Sequence, residues 1–201
     1  GTRNASEYGK NLTEKIVAGL QSQNVLVVSG LAYGIDIAAH KACLKYNVPT
    51  LAAMAGGVDW IYPAVHKKQA EQMLETGGLL SEQAIGVQPA QGGFPARNRI
   101  IAGLCDALIV VEAAAKGGAL ITAEYANNYH KEVFAVPGNI GVVTSEGCNQ
   151  LIRQNKAQIF TSAEELVEAM NWDLDTSIQQ KPPAFDLDLS QFSQDEAQVL
   201  S

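Results

Sequence analysis

Apolar residues gather in five short continuous runs: 24–30 (NVLVVSG), 49–57 (PTLAAMAGG), 77–83 (GGLLSEQ), 106–113 (DALIVVEA) and 131–138 (KEVFAVPG). Each is bounded by turn residues, the pattern of a strand covered on both faces. Between the runs, GIDIAAHKACLKYN, VHKKQAEQMLETG, NRIIAGLC and LITAEYANNYH carry apolar positions at helical spacing. This alternation predicts an α/β fold: a doubly wound, mostly parallel sheet with helices on both faces. Residues 157–160 (AQIF) predict a last edge strand. SAEELVEAM at 162–170 opens with a serine cap and an acidic first turn, so a helix is expected there.

The pattern ends near residue 171. Residues 171–190 are polar, hold a proline pair and keep no period, which predicts a linker after a domain spanning 1–170. Residues 191–201 then resemble the first turns of a further helix. The start is equally abrupt, with a loop at Gly1 and no strand feeding it, as expected of a piece cut from a longer protein.

Composition changes this picture little; the distribution of charge changes it more. Aromatics make up 6% of the chain and glycines number 18, which suits a sheet packed by aliphatic residues with tight turns. The net charge is −7, yet residues 1–160 hold 13 Lys+Arg against 12 Asp+Glu, while residues 161–201 hold 1 against 9. The acid excess therefore sits in the last fifth, and any affinity for a polyanion has to come from a local patch. Cys43, Cys105 and Cys148 are odd in number and widely spaced, which predicts buried hydrophobes in a reducing compartment. No apolar run reaches the ~18 residues needed to cross a bilayer. No membrane role is expected, and the expected location is cytoplasmic.

In a parallel sheet, ligands collect beyond the carboxyl ends of the strands. Those ends here carry SGLAYGID (29–36), GGVD (56–59), AAKGGALIT (114–122) and PGNIG (137–141). Free backbone N–H groups at such turns favour phosphate. Cations follow the same geography: Arg3 in an opening loop, Arg97 and Arg99 at a helix start, Lys116 before Gly117-Gly118. A cation at a helix amino terminus opposes the dipole, which points to an external anion. The other reading is surface charge paired with Glu82 or Glu112. Phe94 has two readings as well, a staple on its own helix or a platform for a nucleobase.

Signals for catalysis are poor. His40, His66 and His130 make no metal spacing. Asp36 and His40, four apart, read as an intrahelical pair. There is no P-loop, no GxGxxG and no Gly-x-Ser-x-Gly elbow. Glu112 and Glu124 are the one candidate acid–base pair.

Seven segments then fall in a telling order: GTR (1–3), VSGLAYGIDIAAH (28–40), GGVDWIYP (56–63), LLSE (79–82), FPARNRIIAGL (94–104), VVEAAAKGGALITAEYA (110–126) and VFAVPGNI with SEGCNQLI (133–152). Over 1–170 the chain closely resembles the DNA-processing protein A (DprA/Smf) family of bacteria. The resemblance implies an extended Rossmann-like fold and no enzymatic activity. It also implies sequence-independent binding of single-stranded DNA, loading of RecA in natural transformation and recombination, and a homodimer. Carried onto this chain, it makes Arg3 a phosphate contact and Arg97, Asn98 and Arg99 a second wall. Ser29, Gly30, Gly117 and Gly118 become main-chain donors, Lys116 a further cation, and Phe94 a stacking ring.

The resemblance also implies a strand before GTR, a small helical domain upstream, and a winged-helix domain of which 191–201 would be the opening. The chain departs from the family where Gln91 stands for a common lysine and Gly117 for a common serine. If the three arginines each meet one phosphate, binding should fall with salt at a log–log slope of about −2. Two alternatives remain. KGGALITAE loosely resembles the PGGxGTxxE loop of phosphoribohydrolases, with Glu124 near the acid position; a nucleotide sensor on the same fold is the other.

Overall fold

The computed structural model describes residues 1–172. The expected linker, beyond its first two residues, and the helix expected over 191–201 lie outside the described residues. The first half of the chain alternates β1 (Val27–Ser29), α2 (Ile35–Tyr46), β2 (Thr50–Ala53), α3 (Lys67–Met73) and β3 (Gly78–Leu80). The second half alternates α4 (Gly93–Leu104), β4 (Ala107–Val110), α5 (Gly118–Asn128), β5 (Glu132–Ala135), α6 (Val143–Arg153), β6 (Gln158–Ile159) and α7 (Ala163–Ala169). Every apolar run named above supplies a strand.

Two helices, α6 and the one that opens the chain, are absent from the expected set. α1 (Glu7–Gly19) precedes all the strands and starts on Ser6, whose Oγ accepts the Gly9 N–H at 3.0 Å. Its buried positions Gly9, Thr13, Ile16 and Val17 lie on one face, which is what holds a helix of ordinary propensity in place.

The strand pairs are all parallel, but they form two sheets of three, ordered β1-β2-β3 and β4-β5-β6. Within the second sheet the alternation along β5 serves two cores. Val133 and Ala135 pack with Ala123, Ala126 and Cys148. Phe134 and Val136 pack on the other face with Ile16, Leu20 and Leu166. The first sheet rests on Leu31, Ile37, Ala52, Met54, Ala70 and Met73. Cys43, Cys105 and Cys148 are free, and burial raises the Cys43 and Cys148 thiols to about 11, in keeping with inert packing groups.

A cleft opens at the carboxyl ends of the strands, lined by the opening loop, the end of β1, the start of α4 and the turn after β4. There Thr2 N–H donates to Glu112 O at 2.8 Å and Thr2 O accepts from Ile35 N–H at 3.2 Å, which ties the opening loop to both halves.

Candidate nucleic-acid interface

The mouth of this cavity is where most of the expected site residues meet. Arg3, Ser29, Phe94, Arg97, Asn98, Lys116, Gly117 and Gly118 all line it. They arrive from the opening loop, the end of β1, the first turns of α4 and the turn between β4 and α5, so the topology itself collects them. Gly30 is buried just behind the rim, and Arg99 stands exposed on α4 outside the cavity lining.

The cations differ sharply in what they touch. Arg3 is exposed, makes no ion pair among the described residues, and holds its guanidinium 5.4 Å from the centroid of the Phe94 ring. A guanidinium over an aromatic face is attracted by the ring quadrupole, so Phe94 orients Arg3 without neutralising it. Lys116 is exposed and likewise in no ion pair among the described residues. Arg99 Nη2 meets both Glu82 carboxylate oxygens at 2.6 Å, with each side chain about half exposed (48%). That is the surface pairing named as its other reading.

Arg97 departs from the expectation of a phosphate contact. It is 6% exposed, and its Nη1 donates to Gly30 O at 2.8 Å and to Ala53 O. Nε reaches the neighbouring Asn98 Oδ1 at 3.3 Å. Burial lowers its pKa, the nearby Asp36 charge acts the other way, and Arg3 adds to the lowering. Two carbonyls at the ends of β1 and β2 therefore receive this side chain, and helix α4 is tied across the first sheet.

Gly30 is required by the same arrangement. Its N–H donates to Asp36 Oδ2 at 3.2 Å, and a Cβ there would lie 2.7 Å from both that oxygen and the Arg97 guanidinium. Asp36 thus serves the Gly30 turn, not a hydrogen bond to His40. His40 is fully buried, with Nδ1 2.7 Å from Thr50 Oγ1, and burial brings its pKa down to about 4. His66 Nδ1 lies 2.8 Å from Leu31 O. Neither imidazole reaches the rim.

The opposite wall is main chain. Gly117 and Gly118 are exposed at the start of α5, which has no side-chain cap, so its first N–H groups face outward. Asn98 Nδ2 donates to Gly118 O at 3.2 Å and sets the spacing between the α4 wall and this turn. Gly117 is extended (φ 161, ψ 173), and a Cβ there would meet nothing within 4 Å, so serine fits as well as glycine. Gln91 lines the cavity but carries no charge.

Glu112 is 5% exposed and accepts both the N–H and the Oγ of Ser6. Its carboxylate is engaged by α1's cap rather than presented to a ligand. Among the described residues there is no group of His, Cys, Asp and Glu able to hold a metal, and no helix long and apolar enough to cross a membrane.

One rim residue escaped the sequence reading. The Tyr62 ring packs on Phe94 with centroids 5.4 Å apart at 52°, and it lines the same cavity. Nothing in the spacing of two residues 32 positions apart announces such a pair.

Known proteins resemble this chain in sequence and in fold. Residues 1–171 match the family model described as DNA recombination-mediator protein A. Protein Smf of Synechocystis sp. is 44% identical over 170 residues, which is 85% of this chain and 42% of that protein. The crystal structure of DNA processing protein A from Streptococcus pneumoniae superposes with a TM-score of 0.77 at 42% identity, covering 84% of this chain and 59% of that one. DNA processing protein A from Helicobacter pylori, solved for its single-stranded DNA binding mode, superposes with a TM-score of 0.78 at 30% identity, over 86% of this chain and 78% of that one. The chain thus spans roughly half the length of the first two, 42% and 59%. Its motifs, its Rossmann-like fold and these matches agree: the chain belongs to the DNA recombination-mediator protein A family.

Proposed function

We propose that the mouth of the cleft binds single-stranded DNA without regard to sequence, and that the protein passes this DNA to RecA in recombination and natural transformation, acting as a homodimer. The observation that carries the reading is the convergence on one rim of an unpaired guanidinium, an aromatic pair, an unpaired lysine and an uncapped helix start. A flexible polynucleotide needs these groups: cations for the phosphates, ring faces for the bases and main-chain donors that read no sequence. Relatives named for DNA processing, one of them described by its single-stranded DNA binding, support the partner.

The cations do not contribute equally. Arg3 and Lys116 meet phosphates directly. Arg99 does so on leaving Glu82, an exposed pair that costs about 1 kcal/mol or less to open. Arg97 positions the wall from within. The log–log salt slope for oligo-dT is therefore expected between about −1.4 and −2, at about −0.7 per phosphate. Fluorescence anisotropy at several salt concentrations measures it. Preference for duplex, or a slope near zero, would defeat the proposal.

A further inference from the structure

We propose that Tyr62, rather than Phe94, presents the ring face on which a nucleobase stacks, with Phe94 the buttress that fixes Tyr62 and Arg3 beside each other. This rests on the single-strand reading above and sharpens it. The two rings differ in what remains free. Phe94 is half-buried, carries the Arg3 guanidinium 5.4 Å from its centroid, and meets Tyr62 at another 5.4 Å. Centroids at that separation are in direct contact, and no third ring fits between them. Tyr62 is 51% exposed and lines the same cavity as Arg3.

The loop that carries Tyr62 is held on both sides. Trp60 N–H bonds Gly57 O at 3.0 Å before it, and His66 N–H bonds Pro63 O at 3.0 Å after it. Asp59, within the same loop, accepts the Gly86 N–H with both carboxylate oxygens at 3.0 Å, which clasps the loop to its neighbour after β3. A ring so held loses little freedom when a base lands on it, the condition under which stacking adds affinity. Arg3 lies one ring away, the arrangement needed to hold a phosphate while the attached base rests on Tyr62.

The test compares oligo-dT with an abasic oligonucleotide of equal length by anisotropy, at three salt concentrations. Tyr62→Ala should weaken oligo-dT binding about 5- to 150-fold at every salt, with the slope unchanged, because stacking releases no counterions. It should also abolish the preference of the wild type for the base-bearing strand, and Tyr62→Phe should restore it. Phe94→Leu should lower affinity yet keep that preference. Tyr129→Ala, a comparably exposed tyrosine outside this cavity, should change nothing. If Tyr62→Ala keeps the base preference while Phe94→Leu removes it, the roles are reversed and the proposal falls, with the single-strand reading intact. If the wild type does not bind oligo-dT, both fall.

Discussion

Inside each half of the molecule, β1 to β3 and β4 to β6, ladder bonds and packed aliphatic side chains hold the parts together. Between the halves run buried polar ties: Arg97 from α4 to the ends of β1 and β2, and Glu112 beyond β4 to the start of α1. The contrast teaches where single residues matter. A buried tie has no substitute partner nearby, whereas a surface pair such as Arg99 with Glu82 has water.

The strongest way to break this contrast is Arg97→Ala. It leaves the Gly30 and Ala53 carbonyls without their partner and removes the charge near Asp36. Chemical denaturation should show a loss of about 2–4 kcal/mol. Arg97→Met, which fills the same space, should recover little of it, because the carbonyls stay unpaired.

Next in size is the effect of acid on the first half alone. Its buried His40 has a pKa held near 4 by burial, partly offset by Asp36, with His66 and Arg97 adding to the depression. An unfolded histidine takes its proton near 6.5. Between the two values the unfolded chain binds the extra proton, so stability is complete above about pH 6.5 and declines as pH falls toward 4. The whole effect is roughly 3 kcal/mol. Hydrogen exchange at pH 5 should show β1 and β2 opening before β4 and β5; His40→Gln should remove the difference.

Glu112→Gln is expected to cost about 1–2 kcal/mol, since the amide keeps one acceptor for Ser6 but loses the charge-assisted bond. A thermal melt compared with Arg97→Ala would rank the two ties. The smallest effect belongs to Arg99→Ala, below about 1 kcal/mol in stability and fading with salt, because its partner Glu82 is on the surface. Its larger consequence should be a salt slope for oligo-dT shallower by about 0.7.

Much of this was open to reading in the sequence, for identifiable reasons. Five of the six strands stood out because buried parallel strands concentrate apolar residues, and glycine turns marked the carboxyl ends of most of them. The Arg99–Glu82 pairing was already one of two choices. What escaped depends on distant partners. Arg97 and Arg99 are two positions apart on one helix, yet one turns inward because carbonyls 67 and 44 residues away wait for it. α1 lacked a dense apolar run; its order comes from packing on residues that follow it. Tyr62 acquires meaning only against Phe94.

Gly30, Asp36 and Arg97 interlock, and this has a consequence for how the sequence can vary. The glycine has no room for a methyl group because the carboxylate and the guanidinium already fill that space. Such a trio can change only as a set, so sequences that keep one of the three should keep them all.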